Sequence, residues 1–499
     1  MDDLNERLIV VRPASEVTLK SKRTRARFMR SLKSAVQDAL QRNGVRCRVQ
    51  RQPNRLLVNI TEGPQEAAEE ALGRVFGVGT FSPLRVVCEA DPEVIAERGA
   101  AAFKDEIRGQ SFAVRSKRSG RHPFSSVDVA RALGAALRPY GPVDLDDPQY
   151  EVRVEVVNER AYIFQERLPG AGGLPPGTEG RVMSLLSGGF DSAVSSWQIL
   201  RRGVEMDFVL FNLAGGAYER LVTQVAQVIV DRWGYGLRPS LFVGDFNDVL
   251  ADLRLNARDD YSQVLLKRLM MRAASQLALK RGADALVTGE AIGQVSSQTL
   301  PNLRVIEDAS NLPILRPLIG TDKTEIIAAA QKVGTESLSA RVKEYCAIST
   351  GRPVVAADPV IAREQEALLD ASLLERAVAE AKELKLRSLS PADLMLPYLF
   401  VDSVPEGATV IDCQVPGEGA AWRYPGSLQR DPMELLREPS SLDKDGKYVL
   451  YCAQGMQSAQ VAEVLQQLGY EAYSYRGGTR ALQRAVEHPE RAEPAPSGG

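Results

Sequence analysis

Arg181–Ser192 reads RVMSLLSGGFDS, an apolar run that ends on a serine, two glycines, an acid and a second serine. Val182–Leu186 has the short, unbroken apolar character of a buried strand, and Ser192–Arg202 has the spacing of a helix. Between them, Gly188 and Gly189 allow a tight turn that leaves backbone amides facing an anion. Ser187 and Ser192 add hydroxyl donors, and the amino end of the following helix favours phosphate. No G-x-x-x-x-G-K-[ST] occurs, so this is not a kinase-type or GTPase-type loop. Outward from the loop, strand and helix alternate: strand Met206–Asn212, helix Leu221–Trp233, strand Leu241–Val243, helix Gln263–Lys280, strand Ala285–Thr288. That alternation predicts a doubly wound parallel sheet from Arg181 to about Thr335, followed by a helical stretch over Ile361–Leu384.

At 499 residues the chain exceeds one ordinary core, and three or four domains are expected. The two histidines, His122 and His488, exclude a multi-histidine metal centre. Five scattered cysteines with no C-x-x-C pair argue against a zinc knuckle or a disulfide scaffold, and leave thiol chemistry open. The acidic N-terminus and the lack of an apolar run near 18–20 residues predict a cytoplasmic protein without a membrane span. The net charge of −2 hides an imbalance: residues 1–60 hold fourteen Lys/Arg against five Asp/Glu, a local +9 that leaves −11 for the rest. That stretch reads as strand Leu8–Val11, a helix with Phe28, Leu32, Val36 and Leu40 on one face, and strands Val45–Val49 and Leu56–Ile60. A second α/β unit carries strands Ser111–Arg115, Tyr150–Val156 and Ala161–Gln165 and a helix over Val127–Leu137. Pro169–Gly180, with eight Gly or Pro in twelve residues, reads as a linker. Residues 404–488 form a last small α/β unit, with strands Thr409–Asp412 and Tyr448–Tyr451 and helix Ser458–Leu468, and 489–499 read as a disordered tail.

Three further features bear on chemistry. Cys452 ends an apolar strand and opens the loop Cys452-Ala-Gln-Gly455-Met-Gln-Ser458, which runs into a helix whose amides would stabilise a thiolate or persulfide. Cys346 stands alone in Lys343-Glu-Tyr-Cys346; Cys47, Cys88 and Cys413 read as core residues, Cys413 with a minority reading as a spare thiol. Lys20, Lys22, Arg23 and Arg25, with Arg115, Lys117, Arg118 and Arg121, form basic runs that are either solvated faces or phosphate contacts.

The SGGxDS loop resembles the PP-loop of the N-type ATP pyrophosphatases, and the Cys452 loop resembles that of the rhodanese homology domain. Gln457 and Gln414 stand where that domain commonly has arginine. Glu16-Val-Thr-Leu-Lys20, Val143-Asp-Leu-Asp-Asp-Pro148, Leu286-Val-Thr-Gly289-Glu290 and Gly293-Gln-Val-Ser-Ser-Gln298 complete a likeness, in order along the chain, to the tRNA 4-thiouridine synthetase (tRNA sulfurtransferase) family, in the subtype that ends in a rhodanese-like domain. The resemblance implies an α/β multidomain protein: a ferredoxin-like domain over 1–62, a THUMP domain over 63–168, a linker over 169–180, a PP-loop domain over 181–395 and a rhodanese-like domain over 404–488. It also implies ATP and Mg²⁺ as cofactors, the metal arriving with ATP rather than in a protein site. Leu185, Leu186, Ser187, Gly188, Gly189, Asp191, Ser192, Lys267, Gly289 and Gln298 would hold the nucleotide. Asp191 and Lys323 would serve catalysis, Cys452 would carry persulfide sulfur, and Cys346 would resolve it through a Cys346–Cys452 disulfide. The implied reaction is adenylation of uridine O4 at position eight of tRNA and its replacement by sulfur. Implied partners are tRNA, a cysteine desulfurase and a ubiquitin-like thiamine sulfur carrier, with room for a homodimer. A sulfur relay serving mainly thiamine synthesis, another PP-loop tRNA-modifying adenylating enzyme and a non-catalytic tRNA-binding module are the alternatives.

Overall fold

The computed structural model describes residues 7–342, 352–389, 399–414, 422–453 and 455–488. They fall into two compact units: residues up to Gly180 with Leu200–Glu205 and Arg232–Leu237, and the remainder from Arg181.

The first unit holds two sheets. In chain order its elements are β1 (Arg7–Pro13), α1 (Ser15–Thr18), α2 (Lys22–Arg42), β2 (Arg46–Gln52), β3 (Arg55–Glu62), α3 (Gln65–Gly73), β4 (Val78–Pro83), β5 (Val86–Glu89), α4 (Pro92–Ile107), β6 (Phe112–Ser119), α5 (Ser126–Leu137), β7 (Tyr150–Val157), β8 (Arg160–Phe164) and β9 (Leu168–Pro169). One sheet has the order β2-β3-β1-β4-β9 and the other β5-β8-β7-β6. The α2 stripe foreseen from the sequence, Phe28, Leu32, Ala35, Val36, Ala39 and Leu40, is buried in the core of the first sheet.

Two boundaries differ from the sequence reading. The first domain does not end at 62, because β4 pairs antiparallel with β1, from Ile9↔Pro83 to Pro13↔Val78. Nor is Pro169–Gly180 a slack linker: β9 pairs with β4, Gly77 N–H donates to Gly172 O at 2.8 Å, and Leu174 is buried in the first core. Its small residues serve close packing, since a Cβ on Gly170 would collide with Val78 O.

One buried carboxylate ties the two sheets of this unit together. Glu155 of β7 receives Arg12 Nε of β1 at 3.0 Å, Arg55 Nη1 of β3 at 3.0 Å and Arg167 at 2.6 Å. Burial pushes the Glu155 carboxyl up, but the three guanidinium groups outweigh it and hold it below its ordinary value. Glu155→Ala leaves those cations without their anion in a nearly dry site, which typically costs about 3–5 kcal/mol. We expect the first unit of this variant to melt about 10 °C or more below wild type in differential scanning calorimetry.

The second unit also holds two sheets. The first follows β10 (Arg181–Leu185), α6 (Phe190–Leu200), β11 (Glu205–Asn212), α7 (Gly215–Trp233), β12 (Ser240–Asp245), α8 (Asn247–Asn256), α9 (Ser262–Lys280), β13 (Ala285–Val287), α10 (Leu300–Glu307), β14 (Ile314–Leu315), α11 (Lys323–Val333), α12 (Glu336–Ser339), α13 (Pro359–Glu366), α14 (Ala371–Ala379) and β15 (Lys382–Lys385). Its order is β14-β13-β10-β11-β12-β15, with parallel pairing of β13 to β10 and β14 and of β11 to β12. The one antiparallel strand is the edge strand β15. Ile361–Leu384 is therefore not one helix. Asp370 accepts the Ser372 amide at 2.9 Å and starts a new helix, and Lys-Glu-Leu-Lys then forms a charged edge strand of the kind that discourages further pairing.

The terminal sheet is built from β16 (Phe400–Val401), β17 (Thr409–Asp412), β18 (Leu428–Gln429), α15 (Pro432–Arg437), β19 (Lys447–Tyr451), α16 (Met456–Gln467), β20 (Glu471–Tyr475) and α17 (Gly478–Glu487). Its order is β16-β20-β19-β17-β18, all parallel, so the last domain begins at least four residues before the expected 404. No helix among the described residues is long and apolar enough to cross a membrane. The expected tail, 489–499, lies outside the described residues.

Candidate active site

The loop between β10 and α6 sits at the carboxyl end of the central strands, where doubly wound sheets bind ligands. Gly188 adopts φ +79°, in the left-handed region, and Gly289 has no room for a side chain, because its Cβ would lie 2.5 Å from the Asp191 carbonyl carbon. Both glycines are thus required by geometry. Ser192 Oγ accepts the Ser187 amide at 3.3 Å and donates to Gly189 O at 3.1 Å, and Tyr218 Oη donates to Ser187 O at 2.9 Å. The Ser187 side of the loop is exposed, whereas Ser192 and Leu186 are buried beneath it.

Asp191 and Lys323, 132 positions apart, meet: Lys323 Nζ lies 2.7 Å from Asp191 Oδ2, which also accepts Gln294 Nε2 at 3.2 Å. Asp191 Oδ1 is buried with no protein partner, as is Gln298 Oε1. Buried polar atoms ordinarily have a partner, so these two orphaned acceptors mark where a ligand or its cation belongs. The residues present fit magnesium-bound ATP: a Gly-lined anion loop, a carboxylate oxygen for the cation, and Lys323 for negative charge.

Lys267 holds a position the sequence did not foresee. Its Nζ is 2.9 Å from Glu290 Oε1, while Arg316 Nε lies 2.9 Å from Glu290 Oε2 and Thr288 Oγ1 donates to that same oxygen at 3.2 Å. Glu290 is 4% exposed. Burial pushes its carboxyl up, yet Lys267 and Arg316 together hold it below the ordinary value. Glu290, Arg316 and Gln294 received no role from the sequence; the signal present was the run Thr-Gly-Glu290 beside a nucleotide-pocket glycine.

Cys452 directly follows β19, at the floor of a second loop. Its Sγ accepts the Ser458 amide and the Ser458 hydroxyl, each at 3.5 Å, and Ser458 Oγ shares a hydrogen with Ser474 Oγ at 2.9 Å. Gly455 (φ +80°) and Gly478 (φ +66°) line the loop, and a Cβ on Gly478 would lie 2.5 Å from Cys452 O. Gln414 turns back on its own strand: its amide and Nε2 donate to Asp412 at 2.9 and 3.1 Å, and Arg423 pairs with the other oxygen of Asp412 at 3.1 Å. The terminal domain is seated on α7 by Glu463 of α16, which accepts the Gly216 amide at 2.9 Å beside a cavity of about 470 Å³. Cys346 lies outside the described residues. Burial pushes the Cys88 thiol up to about 11 and raises that of Cys47.

The basic residues divide by environment. Ser21 caps α2, so Lys22, Arg23 and Arg25 occupy its first turn, where the helix dipole already disfavours cations. Lys22 and Arg23 are exposed, Arg25 donates to Thr18 O at 3.1 Å and Lys20 lies over the Phe28 ring. On β6 and the turn after it, Lys117 and Arg121 are exposed, Arg115 pairs with Glu151 at 3.0 Å and Arg118 donates to Gly120 O at 3.1 Å.

Comparison with known proteins bears on the family of the chain. The chain matches the profiles described as ThiI ferredoxin-like domain (residues 8–82), THUMP domain (89–166), thiamine biosynthesis protein ThiI (177–370) and rhodanese-like domain (381–485). It is 37% identical over 481 residues to a tRNA sulfurtransferase of Pyrobaculum aerophilum, covering 95% of this chain and 98% of the relative. A tRNA sulfurtransferase of Shewanella loihica is 35% identical, with 92% and 98% covered. Among solved structures, a 4-thiouridine synthetase–RNA complex with bound ATP superposes with TM-score 0.67 at 31% identity, over 76% of this chain and 99% of that one. PH1313 from Pyrococcus horikoshii, at 24% identity and TM-score 0.53, shares the fold. From end to end, then, this chain belongs to the tRNA sulfurtransferase family of ATP-dependent enzymes.

Proposed function

We propose that this chain makes 4-thiouridine at position eight of tRNA, activating uridine O4 with ATP and supplying sulfur held as a persulfide on Cys452. The observation that carries the reading is the pairing, in one chain, of a Gly-lined anion loop with a buried, unpartnered carboxylate oxygen and a cysteine cradled by an amide and a hydroxyl. The homologous structure with RNA and bound ATP supports both ligands.

Bound at this loop, Mg–ATP supplies the adenylyl group that turns a carbonyl oxygen into a good leaving group. The chain's residues do the rest. Ser187, Gly188, Gly189 and Ser192 present donors to the phosphates; Lys323 offsets negative charge at the pyrophosphate and the Asp191 carboxylate would hold the magnesium; Leu185, Leu186, Lys267, Gly289 and Gln298 line the nucleotide. The Cys452 persulfide, charged by a cysteine desulfurase, attacks C4 either directly or after release as sulfide. In the direct route, AMP leaves, Cys346 attacks Cys452 Sγ, the thiolated base departs, and a Cys346–Cys452 disulfide awaits a reductant. Delivery of the same sulfur to a ubiquitin-like thiamine carrier needs Cys452 but not the ATP loop.

The test is thiolation of unmodified tRNA with ATP, magnesium, cysteine and a desulfurase. Asp191→Ala is expected to lower the rate by about 10²–10³-fold. Wild-type turnover in that variant overturns the assignment of the loop. For the RNA interface, reversing the charge of Lys22, Arg23 and Arg25 is expected to weaken tRNA binding and to flatten the dependence of log K on log salt by about 2. Unchanged affinity and slope in a filter-binding titration reject this surface.

A further inference from the structure

The two strands under the Cys452 loop end side by side on cysteines. β17 and β19 run parallel and in register from Thr409↔Tyr448 to Asp412↔Tyr451. The last bond of the ladder runs from the Cys413 amide to Tyr451 O at 2.8 Å. One more step of that register sets Cys413 opposite Cys452. Side chains alternate along a strand, so Cys413 shares a face with Ile411, and Cys452 with Leu450. All four are buried in one cluster, whereas Val410, Val449 and Tyr451 pack on the opposite face. Neighbouring strands lie about 4.8 Å apart, inside the span of roughly 4.4–6.8 Å that a disulfide bridges between Cα atoms. Cys413 is 0% exposed and Cys452 3%, so both thiols are buried together.

We propose that Cys413 is a second resolving thiol, which discharges the Cys452 persulfide inside the terminal domain and releases its outer sulfur as sulfide. The step rests on the persulfide reading above. Cys413 Sγ attacks Cys452 Sγ and forms the Cys413–Cys452 bond as the bond to the outer sulfur breaks. The outer sulfur leaves with that electron pair and takes up the Cys413 proton, departing as hydrogen sulfide. Two thiol-level sulfurs are thereby oxidised to a disulfide and the sulfane sulfur is reduced to sulfide; a dithiol reductant then restores both cysteines. Burial, with the neighbouring Cys452 second, holds the Cys413 thiol well above its ordinary value, so it keeps the proton that the departing sulfur needs. Cys413 therefore acts as thiol and proton source together, toward one partner. Cys47 and Cys88 sit in the other unit, without such a neighbour on the strand beside them.

The test uses the full chain carrying Cys346→Ser, which removes the other candidate resolver. The protein is loaded with inorganic polysulfide, desalted, and followed by intact mass and by sulfide assay. The expected course is decay of the one-sulfur adduct on Cys452, stoichiometric sulfide release, and a product two hydrogens lighter whose peptide map joins residues 413 and 452. Dithiothreitol reverses it. Adding Cys413→Val or Cys413→Ser is expected to abolish the crosslinked product and to slow sulfide release about tenfold or more. An unchanged circular dichroism spectrum and thermal melt confirm that each variant has folded. Equal decay with and without Cys413, or a crosslink mapping elsewhere, overturns the inference and leaves the persulfide reading standing. Failure of Cys452 to load in the Cys346→Ser parent overturns both.

Discussion

Cys452→Ser is expected to hold tRNA thiolation at background, a loss of about 10³-fold or more, while adenylation, read as pyrophosphate release from ATP in the presence of tRNA, continues. Serine fits the cradle made by the Ser458 amide and hydroxyl. Its oxygen, however, is a far weaker nucleophile than a thiolate and cannot store sulfane sulfur. Adenylation is spared because the ATP loop belongs to a different sheet, between β10 and α6. Cys413 does not rescue the variant, since it is wholly buried and out of reach of a sulfur donor arriving from outside. Parallel assays of thiolated tRNA and of pyrophosphate separate the two half-reactions. Loss of both would mean that the thiol is needed for folding, and retention of thiolation would reject Cys452 as the carrier.

Glu290→Gln is expected to cost about 3–5 kcal/mol of stability in the second unit and to raise the KM for ATP. Glutamine keeps hydrogen-bonding capacity but leaves the Lys267 and Arg316 charges uncompensated where the wild type has a nearly dry ion pair. Lys267 then loses the ion pair that fixes its ammonium group, which on the proposed reading points it at the nucleotide. The pH dependence carries the sign of a depressed carboxyl. Its contribution is fully present above the unfolded value of about 4.3 and disappears as pH falls through the lower folded value. Thermal melts between neutral pH and pH ~3 are therefore expected to show a wide gap between wild type and variant that closes only on the acid side. A gap independent of pH would assign the loss to packing alone.

The sequence made strands and the loop legible wherever periodicity and glycine placement reflect a local cause. Val182–Leu186, the turn at Gly188 and the α2 stripe from Phe28 to Leu40 are of this kind. What it concealed depends on chain segments far apart. β4 belongs with β1 because of a pairing across 65 or more positions, which no window around residue 62 can reveal. The glycines of Pro169–Gly180 looked like slack because close packing and flexibility select the same residue. At the site, Asp191 was marked by its motif, but its partners Lys323 and Gln294 come from other connections of the sheet. Glu290 went unassigned because its role lies in the two cations folded onto it, and spacing carries no trace of them. Cys413 read as core, which it is; only the register of β17 against β19 brings it beside Cys452.

The carboxylate of Glu155, gripped by arginines from β1, from β3 and from the segment after β8, has one more consequence. On the RNA interface proposed above, it holds the basic start of α2 and the basic end of β6 in one unit, as the two jaws of a caliper. An RNA would touch both only where its own phosphates stand at the matching separation. On that proposal, such a gauge would accept any transcript folded to the right dimensions and would reject a loose strand of identical sequence. Measurement, rather than reading, becomes the means of selection.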